Sequence, residues 1–321
     1  MRVLVVTNMY PTDASPVRGR FVRDQVEALR AHGDVDLELF IVGRGRRAYA
    51  AAIPRLRRVL RRERFDLVHA HYGLTGWCAA RAGATPLAVT FHGTDVRHKL
   101  VGRLSRRLAD RIDLVAVASR SLFAPEGGRP GLPQPPGCNA VLPCGADLTR
   151  FAPLPRAEAR RRLGLDQAGR YLLFPADPAR AEKRHDRARE VASRTGAELL
   201  VAAGVDPDRM PDWVNAASAV VVPSEREGFG LATLEALACD VPALCTPVGV
   251  APAAASGIEG CLVAPYDAER WATVAKAHLD AADPRVAGRA SAMRFSAGRM
   301  AARVLAAWQE LAGEVEPGSV P

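Results

Sequence analysis

Two carboxylates, Glu227 and Glu235, stand with seven residues between them in "SEREGFGLATLEALA", directly after the apolar run "AVVVP". Gly228 and Gly230 permit a tight turn with close backbone approach, and "LATLEALA" predicts a helix whose first N–H groups have no acceptor within it. Such N–H groups suit hydroxyl or phosphate oxygens. Glu235, about two helical turns beyond Glu227, projects from the same general side and can accept two hydrogen bonds from a cis-diol of the kind a ribose presents. The spacing alone equally allows a plainer assignment, in which Glu227 favours the helix dipole and Glu235 is a surface residue.

A second cluster follows the run "YLLFP". In "ADPARAEKR", Arg180 and Lys183 carry the charge needed to stabilise a departing diphosphate. Lys183 is one of 3 lysines beside 41 arginines, although the segment also reads as an ordinary solvated helix. Two further clusters lie at apolar runs: "VHAHYG" with His69 and His71, and "LAVTF" followed by "HGTDV" with His92 and Asp95. Each histidine is either a hydrogen-bonding partner for a sugar hydroxyl or a satisfied side chain at a strand end. Gly19 closes the loop that follows "VLVVT".

The missing motifs narrow the chemistry. No G-x-G-x-x-G follows the first apolar run, which weakens a nicotinamide or flavin site, and no G-x-x-x-x-G-K-[ST] or G-x-S-x-G occurs. The 6 cysteines include no Cys-x-x-Cys pair and no histidine at ligand spacing, so no metal is expected and a reducing cytoplasm fits best.

Positioning these clusters requires a particular frame. Eleven apolar runs alternate with helical patterns: "VLVVT", "LELFIV", "DLVHA", "LAVTF", "DLVAVA" and "AVLP", then "YLLFP", "ELLVAA", "AVVVP", "PALCT" and "GCLVAP". Continuously apolar strands separated by helices predict parallel sheets covered on both faces. With 321 residues, two domains are expected. The reading is α/β, two Rossmann-like doubly wound domains facing a central cleft, with the Gly19 loop, "HGTDV", "ADPARAEKR" and "SEREGFG" each beyond a strand's carboxyl end. The expected boundaries are 1–145 for the N-terminal domain, 146–156 for a connector, 157–298 for the C-terminal domain, and 299–321 for a helix packing back on the N-terminal domain and then a tail.

Charge is unevenly placed: residues 1–150 hold 24 Lys and Arg against 13 Asp and Glu, the remainder 20 against 22. Its densest segment, "RLRRVLRRER" (Arg55 to Arg64), is either the solvated face of a surface helix or a patch for anionic lipid, a polyanionic substrate or nucleic acid. No nucleic-acid motif interleaves aromatics with it. The opening "MRVLVVTNMYP" reads as a buried strand and turn rather than a secretion signal, and no apolar run is long enough to span a bilayer.

Taken together and in this order, "FHGTDV", "VLPCGADLTRF" and "PSEREGFGLATLEALACDVPALCTPVGV" resemble the retaining nucleotide-sugar glycosyltransferases of family 4, which have the GT-B architecture. The resemblance covers nearly the whole chain. It implies that Glu227 meets the donor-sugar hydroxyls beside the amides of Gly228, Phe229, Gly230 and Leu231, and that Glu235 binds the ribose. It further implies Arg180 and Lys183 at the diphosphate, His92 at the transferred sugar, and Gly19 close to donor phosphate and acceptor, with Asp95 and His71 on the acceptor side. The implied reaction is metal-independent and retaining, with a nucleotide-diphosphate sugar, a UDP-sugar, as co-substrate and a small-molecule or glycan acceptor. The implied location is the cytoplasm or the inner membrane face. Two alternatives stand beside it: an epimerase or hydrolase of the same architecture, and a non-catalytic sugar-nucleotide-binding module. The sequence departs from the family's pattern at "PADPAR" before the lysine, at Cys144 in the connector, at Asp240 in place of glycine, and in the short span between "ELLVAAG" and "SEREGFG".

Overall fold

The computed structural model describes residues 1–13, 15, 17–33 and 35–313; the tail expected after the last helix begins at 314, outside the described residues. Two units form, one from Met1–Gly145 with the segment starting at Ala297, the other from Ala146–Ser296.

The first unit holds β1 (Arg2–Thr7), β2 (Asp36–Ile41), β3 (Leu67–His71), β4 (Leu87–Phe91), β5 (Leu114–Val117) and β6 (Asn139–Val141). They make one parallel sheet in the order β2-β1-β3-β4-β5-β6. The central strands β3 and β4 are buried at every residue, including the polar His69, His71 and Thr90.

Helices Arg46–Arg62, Gly73–Ala82 and Lys99–Ala109 cover one face, around Leu56, Val68, Ala79, Val89 and Leu108. The other face receives helices Arg20–Ala31 and Ala297–Leu311. Helix Arg20–Ala31 buries Val22, Val26 and Leu29 at helical spacing, and helix Ala297–Leu311 buries Met300, Ala301, Val304 and Trp308 against the same strands. The basic segment from Arg55 is the second half of the longer helix Arg46–Arg62, anchored by Ala52 and Leu56.

The second unit holds β7 (Tyr171–Phe174), β8 (Glu198–Val201), β9 (Ala219–Val222), β10 (Ala243–Cys245) and β11 (Leu262–Val263), parallel in the order β11-β10-β9-β7-β8. A single short helix, Met210–Ala216, connects β8 to β9, which accounts for the short span in the sequence. Asp240 adopts φ 55, in the left-handed region where the family's pattern has glycine. Its carboxylate accepts the N–H groups of Gly288 (3.1 Å) and Arg289 (2.7 Å), a side-chain anchor that glycine could not provide.

In each sheet the first strand lies between the second and the third. The chain leaves it in one direction, returns, and continues in the other. Such a reversal is where folds of this kind place their ligand crevice, beyond β1 and β3 in the first unit and beyond β7 and β9 in the second.

Candidate active site

The crevice of the second unit is walled by the loops after β7 and β9, which carry Lys183 and Glu227. Lys183 Nζ donates to both oxygens of the Glu227 carboxylate, at 2.7 and 2.6 Å, and only 14% and 8% of the two side chains is exposed. Ser224 Oγ donates to the same carboxylate (2.7 Å), and the Glu225 N–H donates to the Glu182 carbonyl (2.9 Å), joining the loops through backbone. Behind them lies Gly249, with φ 61, where a Cβ would come 2.3 Å from the Phe229 oxygen and 2.8 Å from Glu227 Cβ. Glycine there lets the Val250 N–H reach the Phe229 carbonyl at 2.7 Å.

Gly230, at φ 99, turns the chain into helix Leu231–Ala238, which has no side-chain cap. Its leading N–H groups therefore sit beside the Lys183–Glu227 pair, at the positive end of a helix dipole. Because this helix begins at Leu231, Glu235 lies little more than one turn into it, nearer its start than the spacing from Glu227 implies. It is the half-exposed residue in a stretch whose neighbours Thr233, Leu234, Ala236, Leu237 and Ala238 are buried.

Arg180 takes a different position from Lys183. Its guanidinium is half exposed and paired with Glu182 at 2.7 and 3.0 Å, outside the Lys183–Glu227 pair. Ser224 escaped the sequence reading as a partner of Glu227, although a serine three residues before a glutamate is a recognisable local hydrogen-bonding spacing. Gly249 carried no such signal.

In the first unit, Gly19 (φ 70) presses on the chain after β1: a Cβ would lie 2.3 Å from the Met9 carbonyl carbon and 2.6 Å from the Tyr10 nitrogen. Phe21, two residues on, places its ring 4.8 Å from that of His92. His92 Nε2 meets His71 Nδ1 at 3.0 Å, and His71 stacks between His92 (5.3 Å) and His69 (4.7 Å). The Trp308 indole N–H donates to His69 Nδ1 (3.1 Å), so the His69 proton lies on Nε2, which donates to Thr90 Oγ1 (2.7 Å). Trp308 comes from the last helix, 239 residues away. His71 Nε2 is buried without a partner.

Asp95 is fully buried. Its oxygens accept the N–H groups of His92 and Gly93 (both 2.9 Å) and Gly73 (3.1 Å), so it shapes the loops after β3 and β4 and has no open face toward an acceptor. Tyr72, between His71 and Gly73, is held at φ 86, a costly conformation for a residue with a Cβ.

Burial keeps the imidazole stack neutral. It pushes His71 down to about 4 and, with repulsion from His71, takes His69 and His92 well below the ordinary 6.5. Burial raises Asp95 to about 6 despite its backbone hydrogen bonds. Below about pH 6.5 the unfolded histidines take up protons that the folded stack refuses, so stability falls as pH drops toward 4. Asp95 works in the opposite sense between about 4 and 6, where only its folded form is protonated, but three groups oppose one. A melting temperature several degrees lower at pH 5 than at pH 7.5 is expected; equal values would contradict a neutral stack.

Two parallel α/β units with polar clusters beyond their strand ends define a doubly wound class of fold. Residues 1–124 match the family described as Glycosyltransferase Family 4, and residues 171–280 match Glycosyl transferases group 1. The chain is 30% identical over 286 residues to D-inositol 3-phosphate glycosyltransferase of Thermobispora bispora, covering 73% of this chain and 67% of that protein. It is 30% identical over 292 residues to D-inositol 3-phosphate glycosyltransferase 1 of Catenulispora acidiphila, covering 73% and 68%. The chain thus spans about two thirds of the length of these relatives.

Among solved structures, sucrose-phosphate synthase from Thermosynechococcus elongatus is similar with TM-score 0.70 and 18% identity, covering 98% of this chain and 100% of that one. Anabaena HepE in complex with UDP and glucose is similar with TM-score 0.68 and 16% identity, covering 95% and 98%. The chain belongs to glycosyltransferase family 4 and has the GT-B fold. Among the described residues, no group of three or more His, Cys, Asp or Glu is placed to hold a metal ion, and no helix is long and apolar enough to cross a membrane.

Proposed function

We propose that this glycosyltransferase uses a UDP-sugar and transfers the sugar, with retention, to a hydroxyl of a small molecule or glycan. The observation that supports this reading most strongly is the bidentate Lys183–Glu227 pair beside an uncapped helix start at the β7/β9 switch point. Before donor binds, Glu227 holds the ammonium in place. A diphosphate entering the crevice draws Lys183 to itself and frees the Glu227 carboxylate for sugar hydroxyls, with the amides of Gly228, Phe229, Gly230 and Leu231 alongside. Arg180, half exposed, swings from Glu182 to the outer phosphate oxygens.

As the bond from the anomeric carbon to the diphosphate breaks, negative charge grows on the leaving oxygen, and Lys183 is already oriented to stabilise it. The acceptor oxygen bonds to the same face of that carbon and passes its proton to the departing phosphate. His92, neutral and tied to His71, offers a hydrogen bond to the transferred sugar without adding a charge that would oppose an oxocarbenium-like centre. Glu235 takes the ribose hydroxyls. Within the same reading the protein is cytoplasmic and meets the anionic inner membrane face through its basic first unit.

The test is incubation with UDP-sugars and an acceptor panel that includes inositol 3-phosphate, following UDP release and the product's anomeric configuration. Retained configuration supports the proposal. UDP release that never depends on acceptor favours a hydrolase, and an inverted product contradicts the mechanism. Glu235→Ala is expected to weaken UDP binding about 10- to 100-fold, from loss of hydrogen bonds to a charged group, with little change in kcat. A fall in kcat at unchanged affinity would remove Glu235 from the ribose site.

A further inference from the structure

On the helix-covered face around Leu56 and Val89, helix Gly73–Ala82 is sunk below its neighbours. A Cβ at Gly76 would come 2.7 Å from Leu108 Cδ2 and 2.9 Å from Val89 Cγ2, and one at Gly73 would come 2.2 Å from Ser105 Oγ. Helices Arg46–Arg62 and Lys99–Ala109 stand proud on either side. Between them runs a groove of about 1060 Å³, with Trp77 in its floor, Tyr49 and Ile53 on one wall, and Leu100, Val101 and Leu104 on the other.

The Trp77 indole is fixed by a hydrogen bond to the Leu104 carbonyl (3.0 Å) and has the guanidiniums of Arg81 and Arg111 at 5.7 Å. The groove's charged lining is four arginines, Arg46, Arg81, Arg107 and Arg111, against one carboxylate, Asp110. Leu100 (60% exposed) and Leu104 (37%) stand on its edge. Leu100 also borders a second depression of about 250 Å³, lined by Lys99, Arg103, Arg106 and Arg129.

Exposed leucines between cationic depressions, above an apolar trough, match one chemistry: an acyl chain attached to an anionic headgroup. We propose that this groove binds an anionic phospholipid, its acyl chain lying over Trp77 and its phosphate held by the arginines, and that this is where the protein meets a membrane. The proposal rests on the membrane contact in the reading above and moves it from Arg55–Arg64 to the groove. Charge complementarity favours this occupant: the excess of basic over acidic residues lies wholly in residues 1–150, and a bilayer surface is uniformly anionic over an apolar interior.

The experiment is co-sedimentation of the full chain with vesicles of equal parts phosphatidylglycerol and phosphatidylcholine, and with phosphatidylcholine alone, alongside UDP titration and analytical ultracentrifugation. The expected result is binding to the anionic vesicles only, with a blue-shifted emission that Trp77→Phe abolishes. Leu104→Glu should weaken the binding by roughly tenfold or more, the effect of losing one buried leucine, with UDP affinity unchanged. Leu100→Glu, at the more exposed position, checks that the loss is not misfolding. Vesicle binding that survives both substitutions but is lost when Arg57, Arg58, Arg61 and Arg62 become alanine overturns the groove while keeping the membrane contact. No vesicle binding by a protein that still binds UDP overturns both, leaving the transferase reading intact. A dimer that Leu104→Glu dissociates would show that a second copy covers the groove, and would also overturn the proposal.

Discussion

Lys183→Ala is expected to lower kcat by about 10²- to 10³-fold, the cost of removing one preorganised group that stabilises transition-state charge. Lys183 is presented to the crevice by a short turn after β7, and Glu227 fixes it with two hydrogen bonds. The diphosphate draws Lys183 from Glu227 on binding, so the ammonium is already on the phosphate when the leaving oxygen becomes charged. The substitution also strands the Glu227 carboxylate, only 8% exposed, with Ser224 as its remaining partner, so a lower melting temperature should accompany the loss of rate. Combining it with Glu227→Gln separates the two effects. The double variant should regain part of the stability, because no buried charge is left unpaired, but none of the rate. Full rate in Lys183→Ala would remove the lysine from the chemistry.

Gly19→Ala should give the largest effect in the first unit. At φ 70 an alanine is already strained, and its Cβ would lie 2.3 Å from the Met9 carbonyl carbon, a backbone atom with no rotamer to yield. The chain after β1 must shift, and the Phe21 ring that packs on His92 shifts with it. A stability loss of about 1–3 kcal/mol is expected from the strained backbone, with transfer reduced by more than tenfold. UDP affinity should fall less than the transfer rate, because Gly19 is the one residue assigned to the donor phosphate that lies in the first unit. Wild-type melting and turnover would contradict this account of the loop.

The sequence made the strands legible and left their order hidden. Each of the eleven apolar runs became a strand; the inner ones read most clearly because a parallel strand shielded on both faces needs no polar alternation, whereas the edge strand β2 keeps Asp36 and Glu38. Glu227 and Lys183 could each be placed at a strand end, but they lie 44 positions apart, and their pairing depends on β7 lying beside β9. Strand order follows from packing that no local pattern records.

The histidines were ambiguous for a similar reason. His69 and His71 share one face of β3 by alternation, but the register that sets His71 opposite Thr90 brings in His92, and only the last helix supplies Trp308. Asp95 was legible as a polar residue at a strand tip and illegible as a buried acceptor of three backbone N–H groups, because a loop's curvature is not written in its composition. Arg180 stood at the expected strand end, yet its guanidinium pairs with Glu182, two residues on, while Lys183 pairs with Glu227.

The central claim is that the β7/β9 crevice binds a uridine diphosphate through Lys183 and the start of helix Leu231–Ala238. Calorimetric titration of the protein with UDP, and of Lys183→Ala with the same ligand, tests it most directly. The account predicts one saturable site with micromolar affinity, weakened about tenfold or more in the variant by loss of a charge-assisted contact. Absence of UDP binding, or equal affinity in the two proteins, would contradict it.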